Sequence, residues 1–179
     1  MDPVTLECVE SRCGLWTKRT RHQVVSDGDS LYLMGGFDGE ELSCLNDVWR
    51  HDTCSNEWSL VCRQAGWSGR DGHVAVVFNS KLYVVGGSDQ SDVWCSIDGG
   101  VDWVLVCRHA TWSPRSKHAC CVHNGKLYVT GGWSNSGSYH NDVWSSTDGK
   151  HWILVTNRAS WKPRMLHAMV SFKGFLYLL

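Results

Sequence analysis

The stretch RDGHVAVVFNSKLYVVGGSDQSDVWCSIDGGVDWVLV, residues 70–106, decides the fold of this 179-residue chain. It contains two apolar runs separated by Asn79-Ser80, followed by Gly86-Gly87 and two further runs. Val, Tyr and Leu dominate the first two runs, as is typical of strands that are buried on both faces. A two-residue connection that contains Asn favours a tight β-hairpin. The stretch therefore predicts four short antiparallel strands.

The same pattern recurs along the chain. Each copy begins with Trp-x-x-Arg-x-x-His and continues through Leu-Tyr. The complete copies then carry Gly-Gly, Asp-Val-Trp and a final Trp before Leu-Val. The repeated histidines are His22, His73, His118 and His167, which lie 45 to 51 residues apart. A period of this length with four strands per unit is typical of β-propeller blades. No helical periodicity longer than one turn occurs.

These residues resemble the kelch repeat family, whose units carry a His, then Leu-Tyr-x-x-Gly-Gly and later a Trp. The segment HDTCSNEW, residues 51–58, is close to that family's usual turn between the third and fourth strands. The two later copies instead resemble the Asp-box hairpin of sialidase-type propellers, which implies a structural role for Asp98 and Asp148. The resemblance covers nearly the whole chain and implies an all-β, kelch-type β-propeller.

The repeat divides residues 1–179, a single propeller domain, into three complete four-stranded blades at about residues 19–62, 70–107 and 115–156. Residues 3–9 and 164–179 resemble strands of a partial flanking blade. Because propellers generally close with about four to eight blades, we expect an incomplete or truncated propeller. The alternative is that residues 3–9 pair with the last strand and seal a small fourth blade. An unclosed arc would expose strand edges, which predicts self-association.

Composition excludes several other classes of protein. The chain has 17 Lys and Arg against 18 Asp and Glu, so its charge gives no reason to expect nucleic acid or an anionic membrane as a partner. No apolar stretch is long enough to span a bilayer, and the first residues do not have the pattern of a signal peptide. The nine cysteines are odd in number and follow no secretory signal. We therefore expect a cytoplasmic protein with reduced thiols.

The loops after Gly-Gly differ between the copies and are the first candidates for partner binding. The first loop, residues 37–46, is acidic, and the third, residues 133–141, is aromatic and polar. The family resemblance implies that these loops lie on the face where the central channel opens. Exposed aromatic side chains are common interface anchors. The predicted partner-binding residues are Asp38, Glu40, Glu41, Trp133, Asn135 and Tyr139.

A repeated arginine gives a second candidate site. Arg19, Arg70, Arg115 and Arg164 stand at equivalent positions, and the resemblance implies that their turns lie on the same face. We expect a partial ring that grips carboxylates or phosphates of a partner. The alternative is structural: each Arg stacks on the Trp three residues earlier and donates to a carbonyl of a neighbouring blade. The repeated histidines are interpreted as structural. No Cys-x-x-Cys or His-x-x-x-His spacing occurs, which predicts no zinc site and no cofactor.

These observations favour a non-catalytic protein-interaction scaffold with a protein partner. One alternative is an enzyme on the same fold, such as a sialic acid mutarotase, which needs an acid–base pair in the channel. A copper radical oxidase is disfavoured because four of the five tyrosines occupy Leu-Tyr strand positions. The other alternative is a glycan-binding propeller, supported only by the Asp-box-like hairpins.

Overall fold

The computed structural model describes residues 16–179, and the first strand predicted from the sequence, residues 3–9, lies outside them. The described residues form fifteen β-strands: β1 (Arg19–Thr20), β2 (Gln23–Asp27), β3 (Ser30–Asp38), β4 (Ser43–Asp52), β5 (Glu57–Cys62), β6 (Val74–Phe78), β7 (Lys81–Gly87), β8 (Gln90–Ser96), β9 (Val104–Cys107), β10 (Ala119–His123), β11 (Lys126–Thr130), β12 (Val143–Ser146), β13 (Ile153–Thr156), β14 (Met169–Phe172) and β15 (Phe175–Leu178). Within this part of the chain, no helix is long and apolar enough to cross a membrane.

The strands form four antiparallel sheets that follow the repeat. The first contains β2–β5 with the short β1 beside β3, the second β6–β9, the third β10–β13, and the last only β14 and β15. The first long strands of successive sheets (β2, β6, β10 and β14) contact one another. The sheets therefore radiate from a common axis with these strands innermost. This arrangement confirms the predicted all-β, kelch-type propeller blades.

The hairpin between the first two strands of a blade has the predicted form. Phe78 pairs with Lys81 across the turn, and the two central residues have positive φ, 50° at Asn79 and 55° at Ser80. Asn124 and Gly125 repeat this conformation with φ values of 45° and 70°. Positive φ at both central residues defines the turn whose twist matches that of the flanking strands.

The Gly-Gly pair is explained by the repeated histidines. A Cβ added at Gly87 would lie 2.4 Å from the Cβ of His73 in its own blade. A Cβ added at Gly86 would lie 3.0 Å from Cε1 of His118, which belongs to the next blade. The first glycine of each pair therefore accepts the histidine of the following blade, and the second accepts its own. The pair and the histidines recur together because they pack against each other.

The repeated tryptophans form the core between blades. Trp67 and Trp112 are each only 1% exposed. Trp67 meets Trp103 edge-on with 5.8 Å between ring centroids, and Trp112 meets Trp152 at 5.9 Å. One buried cluster lies between the first and second sheets and another between the second and third. Because most of the recurring aromatic positions face a neighbouring blade, their burial accounts for the unusual number of tryptophans.

The acidic loop of the first blade is more ordered than its sequence indicates. β3 continues to Asp38 and β4 begins at Ser43, and the pairing extends from Gly36↔Leu45 to Asp38↔Ser43. Only residues 39–42 form the turn. The predicted loop at residues 37–46 is therefore largely the tip of a β-hairpin, which holds its acidic residues in a defined position.

Candidate partner-binding face

Arg70 is buried inside the second blade, where it forms an ion pair with Asp92. Its Nη1 and Nη2 donate to Oδ1 and Oδ2 of Asp92 at 2.7 Å and 2.9 Å. Nη1 also donates to the carbonyl of Gly86 at 2.9 Å, and Nε donates to the carbonyl of Ser68 at 3.1 Å. Asp92 additionally accepts the indole N–H of Trp94 at 2.7 Å. Two-pronged Arg–carboxylate contacts of this kind combine charge with fixed geometry.

The first and third blades repeat this arrangement. Arg19 donates to both oxygens of Asp47 at 2.6 Å and 2.9 Å, and Arg115 donates to both oxygens of Asp142 at 2.7 Å. Burial alone would raise the pKa of Asp142, but the contacts with Arg115 outweigh it and hold the pKa below its usual value. The repeated Asp-Val-Trp motif thus supplies an acid and an indole that meet at one point, because residues two apart share a strand face.

This geometry corrects the predicted ring of partner-binding arginines. The side chains of Arg70 and Arg115 are 0% exposed and that of Arg19 is 2% exposed, so none of the three offers a surface to a partner. The structural alternative is nearer to what is found, since the Arg70 guanidinium lies 5.8 Å from the ring centroid of Trp67. However, the side chain donates to a carbonyl of its own blade and not of a neighbouring one. The physical reason is that each complete blade has its own largely buried carboxylate beside the arginine, namely Asp47, Asp92 or Asp142.

Arg164 is the exception among the four. It is half-buried, and its Nε donates to the carbonyl of Lys162 at 3.3 Å. Within residues 16–179 it forms no ion pair with a carboxylate. Arg164 therefore has the position of its three counterparts without their acidic partner.

Two asparagines that were not predicted from the sequence form hydrogen bonds to the segments that connect successive blades. The Nδ2 of Asn46 donates to the carbonyls of Ala65 and Trp67 at 3.1 Å and 3.0 Å. Asn141 makes the equivalent contacts with Ala159 and Trp161 at 3.1 Å and 2.9 Å. The available signal was an Asn directly before Asp-Val-Trp in the first and third copies, where the second has Ser91.

The three predicted acidic residues of the first blade divide into two kinds. Asp38 is only 3% exposed, and its Oδ1 accepts the backbone N–H groups of Glu40 at 2.8 Å and Glu41 at 3.1 Å. These hydrogen bonds, the one from Glu41 first, lower the pKa of Asp38. Glu40 and Glu41 themselves are exposed. Asp38 therefore shapes the turn, and the two glutamates present its charge.

The aromatic loop of the third blade is a second small hairpin. Trp133 is half-buried and forms a β-bridge with Tyr139, and the N–H of Ser134 donates to the carbonyl of Ser138 at 3.0 Å. Tyr139 is 51% exposed. The loop thus holds an aromatic side chain out toward solvent on a supported backbone.

The second blade connects these two hairpins. Asp71 forms an ion pair with Arg21 at 2.8 Å, and Arg21 lies 5.3 Å from the ring centroid of Phe37 at the base of the acidic hairpin. On the other side, Asp89 accepts the backbone N–H of Asn135 at 3.0 Å. All three connections follow the Gly-Gly end of their sheets and therefore lie on one face. We call Glu40, Glu41, Asn135 and Tyr139, which are the exposed predicted residues there, the loop face.

The Asp-box-like hairpins have the predicted structural role. Asp98 Oδ1 accepts the Ser96 hydroxyl at 2.7 Å and the backbone N–H groups of Val101 and Asp102 at 3.1 Å and 3.0 Å. The N–H of Asp102 and the hydroxyl of Ser96 hold the pKa of Asp98 below its usual value. Asp148 makes the corresponding contacts with Ser146, Lys150 and His151. Each carboxylate is engaged by its own turn.

The buried histidines make stability sensitive to acid. Burial, with the neighbouring Arg70 and Arg115 guanidinium groups adding to it, lowers the pKa of His73 and of His118 to about 3. In the unfolded chain a histidine has a pKa of about 6.5. Below that pH the unfolded state binds protons that the folded state does not, so stability falls as the pH drops from about 6.5 toward 3. Each histidine contributes a slope of up to about 1.4 kcal/mol per pH unit, and neither contributes above about pH 7.

Urea unfolding at several pH values between 7.5 and 4.5 measures this slope. His73→Gln is expected to make the slope shallower whatever its effect on stability at neutral pH, since it removes one titrating group. His109→Gln, at an exposed histidine, is the matched control. Identical slopes for wild type and His73→Gln would contradict the assignment.

Comparison with known proteins agrees with the β-propeller fold of the structure. The family model of the KLHDC2/KLHL20/DRC7 Kelch-repeats domain matches residues 5–179. Tip elongation aberrant protein 3 of Schizosaccharomyces pombe is 36% identical over 77 residues, which are 40% of this chain and 7% of that protein. Kelch domain-containing protein 3 of Homo sapiens is 33% identical over 72 residues, 38% of this chain and 18% of that protein. The chain therefore spans less than a fifth of the length of these relatives.

Proposed function

This chain belongs to the kelch-repeat family, and from that membership we propose that it is a non-catalytic scaffold that binds protein partners. Kelch-repeat domains generally serve as protein-interaction modules. The observation that carries the proposal is the contrast between the repeated residues and the loop face. In the complete blades, the repeated Arg and Asp side chains pair within their own blade and the repeated Trp side chains pack between blades. The variable hairpins instead present exposed charge and an aromatic side chain on one face.

The chemistry of the loop face indicates the kind of partner surface that would fit. Glu40 and Glu41 project from a turn that Asp38 holds in place, and Glu40 forms an ion pair with Lys18 at 4.0 Å in which both side chains are exposed. Exposed pairs of this kind contribute little, so the carboxylates are available to a partner. Tyr139 supplies apolar area and a hydroxyl at low entropic cost. We propose a partner surface with Lys or Arg beside an apolar pocket.

We further propose a cytoplasmic location, which the odd number of cysteines supports. The two alternatives suggested by the sequence receive no comparable support. A glycan-binding role for the Asp-box hairpins would require carboxylates that are free, and those of Asp98 and Asp148 are bonded to their own turns. A mutarotase would need a free acid–base pair in the channel, and Arg70, Arg115 and Asp38, from the repeated arginines and the acidic hairpin, are buried in structural contacts.

Substitutions on the loop face test the scaffold proposal. Glu40→Lys combined with Glu41→Lys reverses the local charge, and Tyr139→Ala removes the aromatic anchor. We expect each change to weaken binding of the principal partner by about tenfold or more, since charge reversal at an interface and loss of a central aromatic residue both lower the affinity. The measurement is quantitative affinity purification from cell extract, followed by titration of the recovered partner against each variant.

The control is Glu57→Lys, which changes the same charge at an exposed position on the fourth strand of the first blade. All variants should melt within a few degrees of wild type, because the substituted side chains are on the surface. Equal recovery of the same partners by wild type, both loop variants and the control would refute the assignment of the binding face.

A further inference from the structure

Leu42 is an exposed apolar residue in an unfavourable backbone conformation. It ends the turn of the acidic hairpin of the first blade, where it is 76% exposed and has a φ of +51°. A positive φ is unfavourable for a residue with a branched apolar side chain, and apolar surface that stays in water adds nothing to stability. Backbone strain of this kind is concentrated at binding and catalytic sites. Leu42 is therefore a contact residue that the sequence pattern did not single out.

The hairpin that carries Leu42 lies directly beside the second blade. Cys44, two residues after Leu42, has its Sγ 4.0 Å from the hydroxyl oxygen of Ser88. Ser88 and Asp89 are the only residues between β7 and β8, and Asp89 accepts the N–H of Asn135 from the aromatic hairpin of the third blade. The short connection of the second blade thus contacts the acidic hairpin on one side and the aromatic hairpin on the other.

Leu42 and Tyr139 provide one apolar side chain on each side of this connection. Tyr139 is 51% exposed. Because packed sheets are spaced about 10 Å apart, the hairpins of the first and third blades stand about 20 Å apart. A helix of about 18 residues is about 27 Å long and would reach both side chains.

Backbone N–H groups in both hairpins already have partners. Those of Glu40 and Glu41 donate to Asp38, and that of Ser134 donates to the carbonyl of Ser138. A ligand must therefore bind mainly through side chains. This favours a helix over an extended strand, because a helix satisfies its own backbone hydrogen bonds and a strand would bring unpaired N–H and C=O groups into the interface.

On the basis of the proposed scaffold function, we propose that the acidic and aromatic hairpins bind a basic amphipathic helix. Leu42 and Tyr139 pack against the apolar face of the helix, and Glu40 and Glu41 pair with its Lys or Arg residues. A helix of this kind presents basic and apolar groups side by side. Leu42 becomes a second anchor of the binding face, beside Tyr139.

The probe is a fluorescein-labelled helical peptide of about 18 Leu and Lys residues with its leucines on one face, titrated with the whole chain at low salt and followed by fluorescence anisotropy. We expect saturable binding to the wild type. Leu42→Gly and Tyr139→Ala should each weaken binding by about fivefold or more, because each removes an apolar anchor. Glu40→Lys combined with Glu41→Lys should also weaken it and make it less sensitive to salt.

Two controls separate specific contacts from general attraction. A peptide of the same composition in scrambled order has no apolar face and should bind more weakly than the amphipathic peptide. Ile97→Ala removes an apolar side chain that is likewise 76% exposed, but at the opposite end of the second sheet, and should leave binding unchanged.

Stability distinguishes an anchor from a residue that supports the fold. Glycine adopts a positive φ without strain, so Leu42→Gly should melt at or above the wild-type temperature while it binds the peptide less tightly. Absence of saturable binding, equal affinity for the two peptides, or equal binding by Leu42→Gly and wild type would each overturn the proposal. If the Glu40, Glu41 and Tyr139 variants then still lost the partner recovered from extract, the scaffold function would stand and only the helix site would fail.

Discussion

Arg70→Ala is expected to lower the free energy of unfolding by about 3–5 kcal/mol, the usual cost of removing one partner of a buried ion pair. Arg70 is 0% exposed and holds both oxygens of Asp92 as well as the carbonyl of Gly86. Without the guanidinium, the carboxylate would remain in a largely buried site with only the indole N–H of Trp94 as a donor. Chemical unfolding of wild type and variant measures the difference.

Two further variants separate the ion pair from other effects. Arg108→Ala, at an exposed arginine directly after the last strand of the same blade, should change stability by less than about 0.5 kcal/mol. Arg70→Ala combined with Asp92→Ala should cost less than the sum of the single changes. The reason is that Asp92→Ala removes the carboxylate that Arg70→Ala leaves buried without its partner. Unchanged stability of Arg70→Ala together with selective loss of partner binding would instead restore the arginine ring to the binding surface.

Gly87→Ala is expected to cost about 2–5 kcal/mol of stability. Its φ is +89°, and the added Cβ would lie 2.4 Å from the Cβ and 2.6 Å from the Cα of His73. The unfavourable backbone conformation accounts for about 1–2 kcal/mol and the overpacking for about 1–3 kcal/mol. His73 cannot move aside easily, because its ring fills the space beneath Gly35 of the preceding blade. Thermal and urea unfolding measure the loss.

Two other glycines separate these contributions. Gly125 has a φ of +70° but nothing within 4 Å of an added Cβ, so Gly125→Ala should cost only the backbone share. Gly39 has neither a positive φ nor a close neighbour, and Gly39→Ala should be nearly neutral. If Gly87→Ala and Gly125→Ala were equally destabilising, the contact with His73 would be relieved by a small shift and the interpretation of the Gly-Gly pair would fail.

The blades could be predicted from the sequence because their signals are local. The apolar run up to Phe78, the pair Asn79-Ser80 and the run from Lys81 specify a hairpin without reference to the rest of the chain, and the structure has that hairpin in that register. The recurrence of the pattern then identifies the architecture, since each four-stranded unit can bury its faces only against another like it. The Asp-box turns were predictable for the same reason, as Asp98 bonds only to residues within four positions.

The candidate site was less predictable because its decisive contacts join distant residues. Trp133, Asn135 and Tyr139 were predicted as residues of one loop, and the structure shows that this loop is a hairpin. Nothing in the sequence distinguishes the exposed Glu40 and Glu41 from Asp38, which is buried and accepts hydrogen bonds from their backbone. The position of Arg70 near the Gly-Gly end was likewise foreseeable, but its availability was not. Whether a charged side chain can bind a partner or instead stabilises the fold depends on which groups lie beside it in the folded molecule.

The sequence by itself therefore determined the strands, the turns and the propeller arrangement of this protein, because hydrophobic alternation and turn chemistry act over a few residues and the repeat multiplies them. Only the tertiary structure decided which repeated residues are buried in contacts that stabilise the fold. Arg70 and Asp92 lie 22 positions apart and come together across a blade, and His73 of one blade packs beneath Gly35 of another. Such pairings carry no local signature, and they leave Arg164 alone, among the four arginines, without an acidic partner in the described residues.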